Sequence, residues 1–563
     1  MENILKPARY INSEWNAAHK EWDSAALKVA LVFPDIYEIG MSHLGTKILY
    51  GILNREKGVV CERVFAPWLD MEKKLRAEGK KLSSLESSRE LKDFDIVGFS
   101  LQHEMNYADA LNALELGGLA LYSKERGDNG PIVIAGGPCA FNPEPLADFI
   151  DAFVIGEAEE SILEIVNAVK DRGSKSDILK KLAEIDGVYV PDLSGSRLGL
   201  RVQPQCPLEQ YSSSGHESAS QEQSREDENA SLHGHCKIKK RVVKDLDKSF
   251  FPTDIIVPYI QIVHDRIGIE IMRGCPHACK FCQARKIFHP IRIRSVKRIM
   301  EIAEESVKST GYEEISLLSL SSGDYPHIEE LAGKLEERFK PMGVKISLPS
   351  LRTGTFEEHE GMATLRRAGL TFAPEAGSER LRHSLNKKIS DAEIIEKSRT
   401  ALKSGWRKVK LYFMIGLPGE TPEDLDAIAR LAGQIKNANL SVSPFIPKPR
   451  SDFEREGMDG LETLKEKQRR LFSAFKSHPS AKNIRTDFHS AEMARVEAVL
   501  ARGDRSVGGA ILKAQANGAR LQAWTENFNY TLWDKAFQET GIDPEKYLKK
   551  KEDAEILPWG FIE

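Results

Sequence analysis

The sequence predicts an α/β protein with an N-terminal doubly wound domain, a partial barrel of six β/α units and a small, mainly helical C-terminal region. Two series of short apolar runs alternate with helical segments, which indicates parallel sheets covered by helices. A polar stretch at residues 209–234 separates the two series. No apolar run approaches the roughly 20 residues that a membrane span requires, so no membrane contact is expected.

The composition narrows the class of protein further. The 563 residues suit about three or four domains, and 80 Lys+Arg against 84 Asp+Glu leave a net charge of −4. This near balance argues against a protein that binds nucleic acid or membranes over its whole surface. The first residues lack the apolar core of a secretory signal, so we expect a cytoplasmic protein. An odd count of 7 cysteines does not suit a disulfide framework.

The first series predicts a doubly wound domain over residues 27–195, after an N-terminal extension at 1–26. Five apolar runs are expected to be its parallel strands: LKVALVFPD, CERVFAPW, DFDIVGFSL, PIVIAGGP and DAFVIGEAE. Their nearly continuous hydrophobic character is typical of strands that are buried on both faces. Helical segments separate most of these runs, as the crossovers of a parallel sheet require.

Residues 196–260 are predicted to be a linker with a disordered insertion at 209–234, because the insertion has almost no large apolar residue to bury. The second series, at 261–460, predicts a barrel or partial barrel, in which the chemistry lies at the C-terminal ends of the strands. Its six strands are GIEIMRG, EEISLLSLSS, VKISLPS, LTFAPEA, KVKLYFMIGLP and LSVSPFIP. Residues 461–563 form the C-terminal accessory region.

Three cysteines lie within eight positions, directly after the first strand of the second series. Cys275, Cys279 and Cys282 can converge on one metal centre, and three thiolates can ligate three irons of a [4Fe–4S] cluster while the fourth iron stays open. Zinc is the alternative, but a structural zinc site needs a fourth ligand. His277 is a candidate for that ligand, although its position between the first two cysteines is awkward for tetrahedral closure.

This CxxxCxxC motif resembles the signature of the radical SAM superfamily, and the resemblance continues at the later strand ends. Phe281, before the last cysteine, stands where such enzymes place an aromatic residue near the adenine of S-adenosylmethionine. Ser322, Gly323 and Asp324 end the second strand and are similar to the Gly-Gly-Glu element that receives the methionine amino group. An ammonium needs an acceptor, and glycine lets backbone carbonyls approach it closely.

Further strand ends carry the same resemblance. Ser350 and Arg352 in LPSLR, and Glu375 in APEAGSERLR, look like the residues that line the methionine carboxylate and ribose sites. Arg suits a carboxylate, and Glu suits hydroxyl groups. Gly416 in IGLPGET resembles the fifth-strand element whose backbone lies near adenine. The alternatives are a surface or barrel-rim salt bridge for the first three residues and a plain Pro-Gly turn for the last.

A doubly wound domain before such a barrel resembles the cobalamin-binding branch of the superfamily, which implies a flavodoxin-like, B12-binding-like domain. Small residues at parallel strand ends open the crevice in which a cofactor can lie. The residues similar to that branch's pattern are Ser100, Gly136, Gly137, Pro138, Gly156 and Glu157. Close helix–sheet packing is the alternative role for these glycines. The Asp-x-His-x-x-Gly signature, in which His ligates cobalt, is absent, since neither His43 nor His103 fits it.

The whole layout resembles a bacterial family of uncharacterised cobalamin-binding radical SAM proteins. The resemblance implies an enzyme that uses a [4Fe–4S] cluster to cleave S-adenosylmethionine reductively to a 5′-deoxyadenosyl radical, with cobalamin-dependent methyl transfer to an unactivated carbon as the leading reaction. The alternatives are non-methylating radical chemistry beside a vestigial, cofactor-free N-terminal domain, and a non-catalytic iron–sulfur protein. A methylthiotransferase would need a second cysteine triad, and the N-terminal domain holds only Cys61 and Cys139.

The resemblance also implies partners. A one-electron reductant such as flavodoxin or ferredoxin is expected, and a separate protein is expected to replace the C-terminal domain that relatives often carry. The substrate is a small molecule or an RNA, because a basic stretch after the cysteines can hold phosphates but can equally be a solvated face. Its members are Lys280, Arg285, Lys286, Arg292, Arg294, Lys297 and Arg298. The sequence identifies no catalytic side chain for the transfer itself.

Overall fold

The structure of the chain is a computed structural model that describes residues 4–191, 193, 237–348, 370–403, 405–477, 479 and 484–563. The predicted insertion at 209–234 lies outside the described residues, and so do Ser350 and Arg352. No helix within the described ranges is long and apolar enough to cross a bilayer.

The N-terminal domain is built on one sheet. Its strands are β1 (Leu27–Phe33), β2 (Val59–Phe65), β3 (Ile96–Ser100), β4 (Ile132–Gly136), β5 (Ala152–Val154) and β6 (Val188–Tyr189). Over the described residues the order is β2-β1-β3-β4-β5-β6, with β6 antiparallel to β5 and the other pairs parallel. The parallel part has the flavodoxin-like order, which confirms the predicted doubly wound domain.

Helices cover both faces of this sheet, because its strands are apolar on both sides and almost wholly buried. They are α1 (Tyr37–Gly40), α2 (Leu44–Arg55), α3 (Leu69–Glu78), α4 (Tyr107–Leu116), α5 (Ser161–Lys170) and α6 (Lys175–Ala183). A short 3-10 helix, Pro138–Phe141, follows β4 and leads the chain over the C-terminal edge of the sheet.

The second series of strands forms the barrel. Its strands are β7 (Ile267–Glu270), β8 (Met272–Arg273), β9 (Arg292–Ile293), β10 (Glu314–Leu318), β11 (Lys345–Ser347), β12 (Leu370–Glu375), β13 (Val409–Ile415), β14 (Ala438–Pro444) and β15 (Ile484–Phe488). In the described part, parallel pairing gives the orders β11-β10-β7 and β12-β13-β14-β15, whereas β8 and β9 form an antiparallel pair. This arrangement confirms the predicted partial barrel and adds β9 and β15, which were not predicted.

The helices that alternate with the barrel strands are α7 (Gln283–Ile287), α8 (Val296–Thr310), α9 (Ile328–Phe339), α10 (Glu379–Ser384), α11 (Asp391–Lys403) and α12 (Pro422–Gly433). Those of the C-terminal region are α13 (Leu461–Ser477), α14 (Ala491–Arg502), α15 (Val507–Ala516), α16 (Tyr530–Thr540) and α17 (Pro544–Leu548). One apolar core runs from the N-terminal sheet through the barrel into this region.

The C-terminal region packs back onto the N-terminal domain. Helix α15 contacts α4, and the side-chain amide of Asn142 donates to the carbonyls of Ala501 and Gly503 at 2.9 Å each. Gly508 of α15 lies so close to the N-terminal domain that a Cβ there would be 3.0 Å from the carbonyl oxygen of Pro145. The C-terminal region therefore bridges the barrel and the N-terminal domain.

Candidate active site

The three cysteines lie on one loop, residues 275–282, between β8 and α7; we call it the cysteine loop. None of the three forms a disulfide, and all are partly buried. Gly274, directly before Cys275, has a φ of 93°, and a Cβ there would lie 2.9 Å from the carbonyl oxygen of Phe288. Only glycine allows this approach, so Gly274 sets where the loop leaves the hairpin.

Hydrogen bonds hold the cysteine loop across the barrel mouth. The Lys280 amide donates to the carbonyl of Leu385, after α10, at 3.1 Å, and the Lys280 carbonyl accepts from the Phe453 amide, beyond β14, at 3.2 Å. The side-chain amide of Asn386 donates to the carbonyl of Ala278 at 2.9 Å. The loop is thus attached to chain segments that follow two different barrel strands.

Phe281, the predicted adenine-side aromatic, packs into an apolar cluster at this mouth. The buried members of the cluster are Ala376, Leu381, Leu385, Leu417 and Phe445, which follow β12, β13 and β14. The side chain of Phe281 therefore lies at the C-terminal strand ends, where a barrel of this kind carries its chemistry.

The donor set of the loop fits an iron–sulfur cluster better than zinc. His277, the candidate for a fourth zinc ligand, has its Nε2 2.7 Å from Oδ2 of Asp324. The three thiols are then the candidate ligands, and three is the number that a [4Fe–4S] cluster with one open iron requires. Burial raises the pKa of the Cys282 thiol, so a positively charged metal centre would be needed to hold it as a thiolate.

The element at the end of β10 meets the cysteine loop through this contact. Ser322–Asp324 form a short 3-10 turn, and Asp324 accepts from the hydroxyl of Ser321 as well as contacting His277. The Ser322 hydroxyl is buried and donates to the carbonyl of Leu317 at 3.2 Å. Ser322 therefore stabilises the turn, and Asp324 is the residue of this element whose carboxylate can accept an ammonium group.

Glu375 ends β12 in an unusual conformation. Its φ is 71°, beside an irregularity in the β12–β13 pairing, and such left-handed values are rare for residues other than glycine. Its Oε1 accepts from the buried Nζ of Lys387 at 2.6 Å. The barrel-rim salt bridge that the sequence left open is therefore present. Sequence reasoning missed Lys387, because nothing in the local pattern pairs it with this carboxylate.

Gly416 follows β13 with a φ of 81°, and a Cβ there would lie 2.9 Å from Oδ2 of Asp459. Its amide donates to Oε1 of Glu420 at 3.0 Å. The Nζ of Lys467 lies 2.7 Å from both Glu420 and Asp459, and burial raises the pKa of Glu420. The protein's own packing therefore requires glycine at this strand end.

A cavity of about 310 Å³ lies at the C-terminal edge of the N-terminal sheet; we call it the sheet-edge cavity. Its walls include every residue that the sequence suggested for cobalamin: Ser100, Gly136, Gly137, Pro138, Gly156 and Glu157. It lies beside β1, β3 and β4, where the strand order reverses and where ligands bind in doubly wound folds.

Two glycines of the cavity wall leave room that the protein's own packing does not use. A Cβ at Gly98 would lie 3.6 Å from Ile134 and Leu31, and a Cβ at Gly136 would lie 3.7 Å from Val154. These are ordinary contact distances, so packing does not require glycine at either position. The missing side chains instead add volume to the cavity, which fits a bound group.

Two other glycines of the cavity wall are required by the backbone conformation. Gly137 and Gly156 have φ values of 106° and 103°, and a Cβ on Gly137 would lie 2.5 Å from the carbonyl oxygen of Leu101. Close packing, the alternative role that the sequence left open, is therefore sufficient to explain why these two residues are glycine.

His43 also lines the sheet-edge cavity. Its Nδ1 accepts from the Thr46 amide at 3.1 Å and so caps the N-terminus of α2. Burial lowers the pKa of His43 to about 4, so the ring is neutral near pH 7. Its structural role is that of a helix cap.

Glu157 occupies the boundary between the cavity and the barrel. Its carboxylate accepts two hydrogen bonds from Arg292, at 2.7 and 2.8 Å, and lies 3.1 Å from Arg273. Burial alone raises the pKa of Glu157, but the two guanidinium groups outweigh burial and lower it overall. Glu157 is therefore a buried ion-pair residue between the domains.

Arg273 extends this contact to the cysteine loop. It lies two positions before Cys275 and also pairs with Glu159 and Glu270 at 2.8 Å each. We call Glu157, Glu159, Glu270, Arg273 and Arg292 the interdomain ion network. All but Arg292 line the sheet-edge cavity, so the cavity wall and the base of the cysteine loop share the same side chains.

The basic stretch after the cysteines does not form one exposed patch. Arg292 and Arg294 are buried, the first bound to Glu157 and the second to the backbone carbonyls of Leu246 and Glu270. Some arginines of this stretch therefore make structural contacts inside the fold, and others lie at the surface near α7.

Comparisons with known proteins agree with this geometry. Residues 45–191 match the family described as radical SAM proteins, N-terminal, and residues 269–432 match the radical SAM superfamily. An uncharacterized protein of Methanocaldococcus jannaschii is 31% identical over 488 residues, which cover 85% of this chain and 89% of that protein.

More distant relatives have assigned names. The anaerobic magnesium-protoporphyrin IX monomethyl ester cyclase of Cereibacter sphaeroides is 25% identical over 235 residues, or 39% of this chain and 37% of the cyclase. Among solved structures, the radical S-adenosylmethionine methyltransferase TsrM of Kitasatospora setae, with cobalamin and a [4Fe–4S] cluster bound, aligns with a TM-score of 0.48 at 15% identity, covering 74% of this chain and 72% of TsrM.

Proposed function

The chain belongs to the radical SAM superfamily, and on that premise we propose that it is a cobalamin-dependent methyltransferase that acts on an unactivated carbon. The observation that carries the proposal is the sheet-edge cavity, whose wall is continuous with the base of the cysteine loop through Glu157 and Arg273. The cavity and the metal-binding loop are parts of one site that spans both domains.

Each cofactor has candidate residues in this site. Cys275, Cys279 and Cys282 would hold the [4Fe–4S] cluster, while Asp324 and Phe281 would contact S-adenosylmethionine. When bound, the cluster and S-adenosylmethionine supply the 5′-deoxyadenosyl radical, and cobalamin supplies the methyl group. The protein's own residues position these groups: Asp324 offers a carboxylate to the ammonium, and the apolar cluster around Phe281 keeps water from the barrel mouth.

The sheet-edge cavity would take one arm of cobalamin rather than the whole molecule, because about 310 Å³ is at the small end of the range of ligand pockets. The space beside Gly98 and Gly136 is where that arm would lie. We propose no protein ligand for cobalt, since Nδ1 of His43 caps α2.

A methylthiotransferase is not proposed, although such enzymes share the superfamily. Cys61 and Cys139 are both buried in the N-terminal domain, and burial raises the pKa of each thiol well above its usual value. Inert buried thiols do not suit a second cluster. The described part of this domain offers no third cysteine to complete a triad.

The test is anaerobic reconstitution with iron, sulfide and S-adenosylmethionine, with dithionite, flavodoxin or ferredoxin as the electron donor. We expect 5′-deoxyadenosine from the wild-type chain and none from Cys279→Ala, while Cys61→Ala, a matched control, keeps the activity. Protein from cells grown with cobalamin should carry a corrinoid absorption band. Absence of 5′-deoxyadenosine would refute the catalytic proposal. 5′-Deoxyadenosine without corrinoid would favour non-methylating chemistry beside a cofactor-free N-terminal domain.

A further inference from the structure

A second cavity, of about 300 Å³, lies where the N-terminal domain meets the barrel, beside α7; we call it the basic cavity. Phe141, which follows β4, closes it on the N-terminal side. Its polar wall consists of Lys240, Arg285, Lys286, His289, Arg450 and Glu563. Arg285 and Lys286 belong to α7, which begins directly after Cys282. The basic cavity is therefore next to the cysteine loop but is lined by different residues from the sheet-edge cavity.

The acidic residues at this cavity do not balance its cations. Arg285 and Lys286 share one carboxylate, that of Asp452, at 2.8 and 2.9 Å. The side chain of Glu563 pairs with Lys237 at 3.2 Å, a lysine that does not line the cavity. One positive charge of α7 thus has no carboxylate of its own.

Two further cations have no carboxylate partner among the described residues. The Nζ of Lys240 donates to the backbone carbonyls of Lys286, at 2.5 Å, Ile287, at 3.0 Å, and His289, at 2.6 Å. These bonds use all three of its hydrogens, so Lys240 would attract an anion by its charge and not by a hydrogen bond. Arg450, beyond β14, has a φ of 64°, and its backbone amide binds Glu454 while its guanidinium makes no described ion pair. A partly buried guanidinium and a partly buried ammonium without counter-charge favour an anionic ligand.

The surroundings of Lys240 are electrostatically unfavourable for a cation. Burial and the guanidinium groups of Arg292 and Arg450 lower the pKa of Lys240 to about 8, against the opposing effect of Glu157. The cavity residues Arg285, Lys286, His289 and Glu563 face the same space. An anion bound between Lys240 and Arg450 would reverse this effect and raise the pKa again.

We propose that the basic cavity is a phosphate site that holds a phosphate group of the substrate. A phosphate carries close to two negative charges, which matches Lys240 and Arg450, the two cations of this cavity without a carboxylate partner in the described part of the chain, and its oxygens suit the planar donors of Arg450. The concave shape and small volume fit a single anionic group rather than the broad face of a partner protein, which buries about 800 Å² on each side. That the occupant is the substrate rests on the proposed function; the phosphate site itself does not.

The test is calorimetric titration of the full chain, under anaerobic conditions at constant ionic strength. The probes are inorganic phosphate, ribose 5-phosphate and a short single-stranded oligoribonucleotide. We expect the wild-type chain to bind at least one of the two phosphorylated organic probes, and the double variant Lys240→Met/Arg450→Met to bind it at least tenfold more weakly. The matched control Lys297→Met/Arg469→Met removes the same charge from exposed positions and should bind like the wild type.

Two further measurements keep the test decisive if the double variant folds poorly. Lys240→Arg/Arg450→Lys, which keeps both charges but loses the planar donors of Arg450, should bind more tightly than the Met double variant. Binding to the wild type near pH 8 should take up protons, seen as a dependence of the heat on the ionisation enthalpy of the buffer, because Lys240 becomes fully charged.

The outcomes show which kind of molecule carries the phosphate. They also test the phosphate site separately from the proposed function. Preference for ribose 5-phosphate would assign a small phosphorylated substrate, and preference for the oligoribonucleotide would assign RNA. No binding of any probe, or equal binding by the Met double variant, would overturn the phosphate site. Phosphate binding without 5′-deoxyadenosine formation would retain the site and refute only the proposed function.

Discussion

His277 and Asp324 join the cysteine loop to the end of β10 through one imidazole–carboxylate contact of 2.7 Å. From the sequence alone, His277 is a candidate zinc ligand and Asp324 an ammonium acceptor. The contact gives the imidazole of His277 a partner other than a metal, and it orients the carboxylate of Asp324 at the barrel mouth. The carboxylate of Asp324 can therefore bind a ligand only in the orientation that its contact with His277 allows.

Replacement of Asp324 by Asn should weaken S-adenosylmethionine binding without loss of the cluster. The ammonium would lose a charged acceptor, worth about 1.5–3 kcal/mol, so the dissociation constant should rise by roughly ten- to a hundredfold. Equilibrium dialysis measures the affinity, and iron content checks the cluster. His277→Gln, which leaves the carboxylate in place, should have a smaller effect. Equal affinity in Asp324→Asn and the wild type would remove Asp324 from the binding site.

Asp109 should make the stability of the chain depend on pH near neutrality. It is buried in α4, its Oδ1 accepts from the Leu521 amide at 2.7 Å, and burial raises its pKa to about 8. Because the pKa in the folded state lies above the unfolded value of about 4, the unfolding free energy should fall as pH rises through this window, by at most about 1.4 kcal/mol per pH unit.

Asp109→Asn removes this titration. Thermal unfolding between pH 5 and pH 9 should show that the melting temperature of the variant increases relative to that of the wild type as pH rises. This difference should level off above pH 8. The exposed control Asp553→Asn should follow the wild-type curve. Parallel curves for Asp109→Asn and the wild type would contradict this assignment.

At the scale of elements, strands β1 to β5 were predictable because each is an apolar run that is buried on both faces. Strands β6, β9 and β15 were not. Strands β6 and β9 have only two residues each, and β15, with the sequence IRTDF, has three polar residues between two apolar ones and lies at an edge of the barrel sheet. Their pairing depends on the neighbouring strand rather than on local hydrophobicity.

The interdomain ion network was not predictable for a similar reason. Glu157 follows a strand end of the N-terminal domain, and its partner Arg292 lies 135 positions later in β9. From sequence, Glu157 therefore resembled a ligand-binding residue and Arg292 a member of a basic surface. Only the packing of one domain on the other brings the two charges together.

Glu157→Gln should destabilise the interdomain contact and disturb the cluster. The change leaves Arg292 and part of Arg273 without a buried counter-charge, which typically costs about 3–5 kcal/mol. We expect a lower thermal midpoint and a changed electron paramagnetic resonance spectrum of the reduced cluster, since Arg273 lies two positions before Cys275. Glu160→Gln, at a more exposed ion pair nearby, is the control. An unchanged spectrum with an unchanged midpoint would show that the network does not connect the domains.

At the scale of the whole molecule, the N-terminal sheet edge, the cysteine loop and the C-terminal region form one assembly. The C-terminal region contributes the contact of Trp524 with Asp35, at 2.9 Å, beside the N-terminal sheet. The described residues among those that the resemblance suggested follow strands of the barrel or of the N-terminal sheet, because strand ends are fixed by fold topology. Their individual partners, such as Lys387 for Glu375, depend on tertiary contacts and were not predictable.

The central claim is that the N-terminal domain binds cobalamin, and titration of cobalamin into the cofactor-free chain tests it most directly. Visible absorption should show saturable binding of one corrinoid per chain in the wild type. Gly98→Leu should abolish binding by filling the sheet-edge cavity. The control Gly333→Leu, on α9 where a Cβ meets nothing within 4 Å, should bind normally. Absence of binding by the wild type, or unimpaired binding by Gly98→Leu, would contradict the account.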